Sequence, residues 1–275
     1  MSAKNQVSSV LEKYNINFYG FIPFSACGIA NRRLYDRCVS EGAKTVVIFA
    51  VPYKTNNTPV DDYQMSEYAR VYDYHKKFDN IFQKLIPDLQ QLFPENVFLA
   101  FTDHSPVNEK LAAAGAGLGV IGKNTLLITE KYGSYVFLGE IITDLEIEST
   151  EGEILSCADC GICKKVCPAG AIGEKSFDVS KCLSNISQKT KKTETEKLLL
   201  QNKRIVWGCD ICQQSCPMNR NKGKTDDSYF TEGYISDLSF DLIHSMTDEE
   251  FSKYPFSWRN KKVILDNISN INKQD

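Results

Sequence analysis

The sequence has no long apolar run. No stretch approaches the roughly eighteen uncharged apolar residues that a membrane-spanning helix requires, and the opening Met1-Ser2-Ala3-Lys4-Asn5-Gln6 lacks the apolar block of an export signal. These absences predict a soluble, cytoplasmic chain with no membrane partner. A strong charge of either sign is also missing: the formal net charge is −3 over 275 residues. That balance makes no global case for nucleic acid, although a local basic face is compatible with it. Cysteine is nearly missing from the first half, where only Cys27 and Cys38 precede residue 157. The first 150 residues therefore fold without covalent staples, and those two thiols read as small buried hydrophobes. A disulfide framework, which spreads its cysteines through a short secreted chain, is excluded.

What is present is a concentration of eight cysteines between 157 and 216. Cys157, Cys160, Cys163 and Cys167, followed by Pro168, have the spacing of bacterial ferredoxins, in which three close thiolates grip one cubane and the fourth serves another. Cys209, Cys212 and Cys216 before Pro217 repeat the rhythm, with Val206 where a first cysteine would stand. Seven thiolates cannot close two cubanes, and the isolated Cys182 supplies the eighth. The expected ligand sets are Cys157, Cys160, Cys163 and Cys216 for one 4Fe–4S cluster, and Cys167, Cys182, Cys209 and Cys212 for the other. Zinc is the alternative, since CxxC pairs also hold Zn²⁺, but zinc ribbons separate their pairs by longer spacers. Two fully ligated clusters conduct single electrons in a reducing compartment.

Upstream, hydrophobic spacing predicts a helix over 6–14, a strand over 17–23, a helix near 30–40 and a buried strand over 45–51. Helical spacing covers 63–93 with an interruption at Pro87, and a strand over 96–102 and a helix over 107–114 follow. Strands at 125–129 and 135–143 are joined by a turn at 132–134. This β-α-β order predicts an α/β layer fold with a largely parallel sheet. The acidic stretch from Glu146 to Glu153 marks a boundary. The expected organisation is an α/β (α+β) cofactor-binding domain over 1–150, a bacterial ferredoxin-like double-cluster module over 151–224, and a short helical C-terminal tail over 225–275.

Electrons from the clusters need an acceptor in the first domain. Gly115, Gly117, Gly119 and Gly122 lie within eight residues, which lets the backbone approach a large flat cofactor. Gly117-x-Gly119-x-x-Gly122 matches a dinucleotide fingerprint in form, but here a helix precedes it and a strand follows, the reverse of what that motif requires. Asp103 follows the apolar stretch 97–101 at a strand's carboxyl end, where such sheets place their chemistry. A carboxyl among apolar groups there can hold a proton and donate it. The competing reading makes Asp103 or Ser105 the N-cap of the helix beginning near Val107, and His104 a surface residue.

Several motifs occur in a set order: Glu67-Tyr68-Ala69-Arg70-x-x-Asp73-Tyr74-His75-Lys76, the segment from Asp103-x-x-Pro106 to Asn124, Gly133-Ser134-Tyr135-x-x-Leu138-Gly139-Glu140, the ferredoxin-like motif, Cys182-x-Ser184, and Gly208 to Pro217. Over roughly residues 45–220 the sequence resembles the epoxyqueuosine reductase family, whose members are similar in mechanism to cobalamin-dependent reductive dehalogenases. The resemblance implies cobalamin beside two cubanes, Asp103 as proton donor, and Tyr68, Arg70, Asp73, Tyr74, His75, Lys123, Asn124, Thr129 and Ser184 lining the corrin. It further implies reduction of epoxyqueuosine to queuosine in tRNA, an external one-electron donor such as flavodoxin or ferredoxin, and a monomeric protein. Asp73, His75 and Phe78 almost spell a DxHxxG cobalamin signature, but Phe78 replaces its glycine, so His75 is not expected to ligate cobalt. The plainer reading of His75 is an exposed helical histidine.

Charge distribution bears on tRNA. Residues 157–224 carry thirteen lysines and arginines against six acids, and two oxidised cubanes at about −2 each leave this module at about +3. A basic face there suits phosphate contacts; the alternative is that Lys189 to Lys203 is a solvated helix. Two other functions remain open, a corrinoid reductase of a small molecule and a plain electron carrier. The glycine-rich segment and its large domain speak against the carrier.

Overall fold

The β-branched run at Thr45–Pro52 forms a strand buried from Thr45 through Ala50, as alternation-free apolar sequence predicts. A computed structural model describes residues 1–150, 155–174 and 176–274. In chain order the elements are α1 (Ala3–Lys13), β1 (Tyr19–Pro23), α2 (Arg32–Ser40), β2 (Thr45–Pro52), β3 (Gln64–Met65), α3 (Glu67–Arg70), α4 (Tyr74–Leu92), β4 (Phe98–Phe101), α5 (Glu109–Gly115), β5 (Val120–Ile121), β6 (Leu127–Ile128) and β7 (Val136–Thr143). Then come α6 (Ile162–Val166), α7 (Leu183–Ser187), α8 (Glu194–Asn202), β8 (Ile205–Trp207), α9 (Ile211–Gln214), α10 (Ser228–Glu232), α11 (Phe240–Ser245), α12 (Asp248–Phe251) and α13 (Lys261–Ile271). No described helix is long and apolar enough to cross a membrane.

The chain divides into two units. The first comprises Met1–Pro52, His75–Gly122 and the described part of Leu126–Ala158. Its four-stranded sheet has the order β1-β2-β7-β4, and every pairing in it is antiparallel. The expected parallel sheet is therefore corrected. β2 and β4 do run the same way, as a β-α-β connection requires, but β7 enters between them and opposes both. Helix–strand alternation sets the direction of each connection and leaves open where a later strand inserts.

Side chains leave β2 alternately, which gives the sheet two buried faces. On one, Val46, Ile48 and Ala50 join Ile142 and the alanines Ala112, Ala113 and Ala114 of α5. On the other, Phe49 stacks on Phe78 of α4 with ring centroids 5.6 Å apart. Gly139 of β7 lies beneath this pair: a Cβ there would run into the Phe78 ring and come within 2.7 Å of Phe49 Cζ. Gly139→Val should therefore destabilise the protein by about 1–3 kcal/mol through overpacking, read as a lower urea midpoint. α4 passes through Pro87 without a break, contrary to expectation. Its buried stripe of Phe78, Leu85 and Leu89 holds the helix across the missing N–H. The break falls instead after α3, where Val71 is extended.

The second unit comprises Tyr53–Tyr74, Lys123–Thr125 and the described residues from Asp159 onward. β3 and β8 pair in parallel, and Trp207 of β8 is fully buried with Met65, Phe256, Val263, Ile264 and Ile268. Within the C-terminal helical segment, α13 buries its apolar stripe in the same core as β8. Asn267 Nδ2 ties it there with bonds of 2.8 Å to the carbonyls of Ser187 and Val206. The boundary expected at 151 lies outside the described residues.

Candidate functional site

In the second unit the cysteines sit at the ends of short helices. Gly161, at φ 70°, opens α6, which carries Cys163 and ends at Cys167. Cys182 caps α7, and α9 carries Cys212 between Cys209 and Cys216. Packing of α6 on α9 brings the two motifs together. The charges of Cys182 and Cys167 both act on Cys212, and those of Cys212 and Cys182 act on Cys209, so these four thiols form one neighbourhood. Burial pushes the Cys209 and Cys212 thiols up to about 12; they lose their protons only when iron takes the proton's place. Donors already point at sulfur, among them the Ala171 N–H to Cys167 Sγ at 3.3 Å and Asn124 Nδ2 to Cys212 Sγ at 3.9 Å. Thiols alone, with N–H donors already aimed at Cys167 and Cys212, make a donor set that fits cubanes. Cys157 belongs to the first unit, where its N–H donates to the Ile121 carbonyl at 3.1 Å.

Lys123 forms an ion pair with Asp159 and lies 3.7 Å from Glu174, and the bond to Asp159 raises its ammonium pKa. Tyr68 accepts from Trp207 Nε1 at 3.2 Å and from Gln188 Nε2 at 3.4 Å. Asp73 uses its backbone to hold Tyr229 and Lys253, and Tyr74 begins α4. Ser184 lies on α7, its carbonyl accepting from Ser187 and Gln188. Arg70 is 1% exposed, and its guanidinium forks onto both Asp61 oxygens at 2.9 Å and onto the carbonyls of Ile235 and Tyr63. Buried Asp210 accepts from Ser66 and from the Glu67 N–H.

In the first unit, Asp103 sits just past β4 with φ 63°, a left-handed conformation that aspartate tolerates better than most residues. Its side chain is 64% exposed, and Oδ2 lies 3.5 Å from His75 Nε2. Its N–H donates to Glu109 Oε1 at 2.9 Å. Asp103 and Ser105 do not cap α5, as one reading of the sequence had it: Asn108 does, accepting the Leu111 N–H. The Ser105 hydroxyl is bonded instead to Glu140 of β7. Glu140 is fully buried, and among the described residues its Oε2 has no hydrogen-bond partner; desolvation, then the Glu109 charge, push its pKa well up. Desolvation likewise raises Glu109 from 4.5 to about 7. His104 is exposed and meets Asn31, and Thr129 locks the β6–β7 turn by donating to the Gly133 carbonyl at 2.9 Å.

Sequence reasoning assigned no role to Glu109, Glu140, Asp61 or Asp210. Glu140 left a signal, a lone charge inside the apolar run Val136–Thr143. A raised carboxyl pKa favours the folded state at low pH and loses that advantage as pH rises through the folded value. Stability should therefore fall between about 4.5 and about 7 on account of Glu109, and Glu109→Gln should flatten that fall in urea titrations run across the window.

Residues 33–104 match the family model described as epoxyqueuosine reductase QueG, DUF1730, and residues 156–219 match the 4Fe-4S double cluster binding domain. The epoxyqueuosine reductase of Leadbetterella byssophila is 34% identical over 248 residues, covering 88% of this chain and 80% of that protein. The structure of epoxyqueuosine reductase from Streptococcus thermophilus matches with a TM-score of 0.84 at 25% identity, over 100% of this chain and 82% of that one. An epoxyqueuosine reductase crystallised with an epoxyqueuosine-modified tRNA-Tyr stem loop shares the fold, with a TM-score of 0.81 at 21% identity over 98% of this chain and 80% of that one. A more distant likeness in fold, TM-score 0.52 at 14% identity over 98% of this chain and 36% of that one, is to a reductive dehalogenase whose structure suggests a mechanism for B12-dependent dehalogenation. Similar to a known reductase along four-fifths of that protein's length, and carrying both matched regions, the chain belongs to the epoxyqueuosine reductase family.

Proposed function

We propose that this protein reduces epoxyqueuosine to queuosine in tRNA, using cobalamin and two 4Fe–4S clusters. The observation that carries the reading is Asp103, a partly exposed acid held beside His75 and Glu109. When bound, the clusters supply single electrons and cobalamin a strongly reducing metal centre. The ligand sets follow the cysteine spacing, Cys157, Cys160, Cys163 and Cys216 for one cluster and Cys167, Cys182, Cys209 and Cys212 for the other. The proximity of the last four supports that division. Tyr68, Asp73, Tyr74, Lys123, Asn124, Thr129 and Ser184 are the candidate corrin contacts, together with Arg70 acting through the backbone it braces. His75 fits a cofactor bound without a histidine ligand, since its Nε2 faces Asp103, and the fully buried Phe78 ring fills the place of the signature's glycine. Asp103 delivers a proton to the departing oxygen. A monomer served by an external one-electron donor such as flavodoxin or ferredoxin completes the reading.

Support for tRNA comes from the basic excess of residues 157–224 and from Trp258, a residue 59% exposed with the Arg259 guanidinium 3.8 Å from its ring centroid. An aromatic face beside a cation is how proteins stack unpaired bases, at about 1–3 kcal/mol each. Trp258→Ala should weaken binding of a tRNA stem loop by about tenfold in a fluorescence-anisotropy titration. Lys175, counted in that excess, lies outside the described residues.

The decisive test is anaerobic reconstitution with iron, sulfide and cobalamin, followed by assay on epoxyqueuosine-containing tRNA. About eight irons, one cobalt per chain and queuosine as product are expected. Turnover of a halogenated phenol without salt-dependent tRNA binding would make it a small-molecule corrinoid reductase; full iron with no cobalamin retained would make it an electron carrier.

A further inference from the structure

Removing an epoxide oxygen as water needs two electrons and two protons: both C–O bonds break, a C=C bond forms, and the oxygen leaves with both protons. Asp103 can deliver one proton before it must be reloaded. Its side chain is mostly exposed, with His75 Nε2 3.5 Å from its Oδ2, and the Glu109 carboxyl meets its backbone. Glu109 stands next in line. Its Oε1 receives the Asp103 N–H at 2.9 Å, which leaves Oε2 as the oxygen able to carry hydrogen. Glu140 lies deeper, with Oε1 on the Ser105 hydroxyl and Oε2 buried without a partner among the described residues. A buried, unpartnered carboxylate oxygen is costly, and protonation removes the cost.

Resting on the reading of Asp103 as proton donor, we propose that Glu109 is a positioning residue that both fixes the left-handed Asp103 backbone and reloads Asp103 with a proton during turnover. The transfer is Glu109 carboxylic acid plus Asp103 carboxylate to Glu109 carboxylate plus Asp103 carboxylic acid; solvent then returns the proton to Glu109, and the electrons come from the external one-electron donor. Burial of Glu140 favours its protonated form. The charged groups facing Glu109 are Asp103 in the β4–α5 loop, His75 of α4, Lys110 of α5 and Glu140 of β7. The Asp103 N–H, Lys110 and His75 favour the ionised form of Glu109, whereas the Asp103 charge favours the protonated one. Desolvation outweighs them and sets the direction, upward.

Infrared spectroscopy of the reconstituted protein labelled with ¹³C-glutamate gives a readout separate from activity. A protonated-carboxyl band that titrates near pH 7 and vanishes in Glu109→Gln is expected. Glu109→Gln still accepts the Asp103 N–H but carries no proton. It should lower kcat at least tenfold with little change in KM, and its pH–kcat profile should lose the limb near neutrality. Glu109→Leu should raise KM as well, because it frees the loop. A Glu109→Gln profile that superimposes on wild type, or no titrating band in the wild-type protein, would overturn the proposal. Wild-type turnover by Asp103→Asn would instead remove the reading on which it rests, and the proposal with it.

Discussion

Asp103→Asn lowers kcat on epoxyqueuosine-containing tRNA by about 10²–10⁴-fold, the range that a positioned general acid contributes, while iron content and the visible spectrum stay those of the wild type. The choice of asparagine matters. Asp103 is held at φ 63°, and an alanine there would add about 1–2 kcal/mol of backbone strain, mixing loss of the acid with loss of the loop. Asparagine tolerates the left-handed region and keeps the N–H that Glu109 receives. It also keeps a polar atom near His75. A normal rate for this variant, measured by liquid chromatography of the digested tRNA, would mean that the proton comes from elsewhere.

Asp61→Ala destabilises the protein by about 3–5 kcal/mol, the cost of leaving a buried guanidinium without its counter-ion. The Arg70 and Asp61 side chains are 1% and 4% exposed, and Arg70 also holds the carbonyls of Tyr63 and Ile235. The loss therefore falls on three segments at once: the chain before β3, helix α3 and the loop preceding α11. Asp61 in addition accepts the Leu238 N–H at 2.8 Å. The double variant Asp61→Leu, Arg70→Met should recover much of the loss, since an apolar pair of similar volume carries no desolvation cost. Anaerobic urea titration followed by circular dichroism distinguishes the two outcomes. Equal loss in both variants would place the energy in the carbonyl contacts of Arg70 rather than in the ion pair.

The sequence by itself determined the features that depend on local spacing. Cysteine intervals of two and three residues place thiols at the ends of single helical turns whatever the rest of the chain does, so the double-cluster motif was legible without coordinates. The β-branched run of β2 and the capped starts of α1 and α2 are local in the same sense. Tertiary structure decided what depends on distant partners. The insertion of β7 between β2 and β4, which makes the sheet antiparallel, is a choice among edges that no local pattern encodes. The closing of the Trp207 core by α13 joins residues some sixty apart through shared burial. The carboxyl cluster shows the same division: Asp103 was legible at the end of its strand, but the helix of Glu109 and the strand of Glu140 meet behind it only after folding. A pKa is set by desolvation and neighbouring charge, and both of these exist only once the chain is packed.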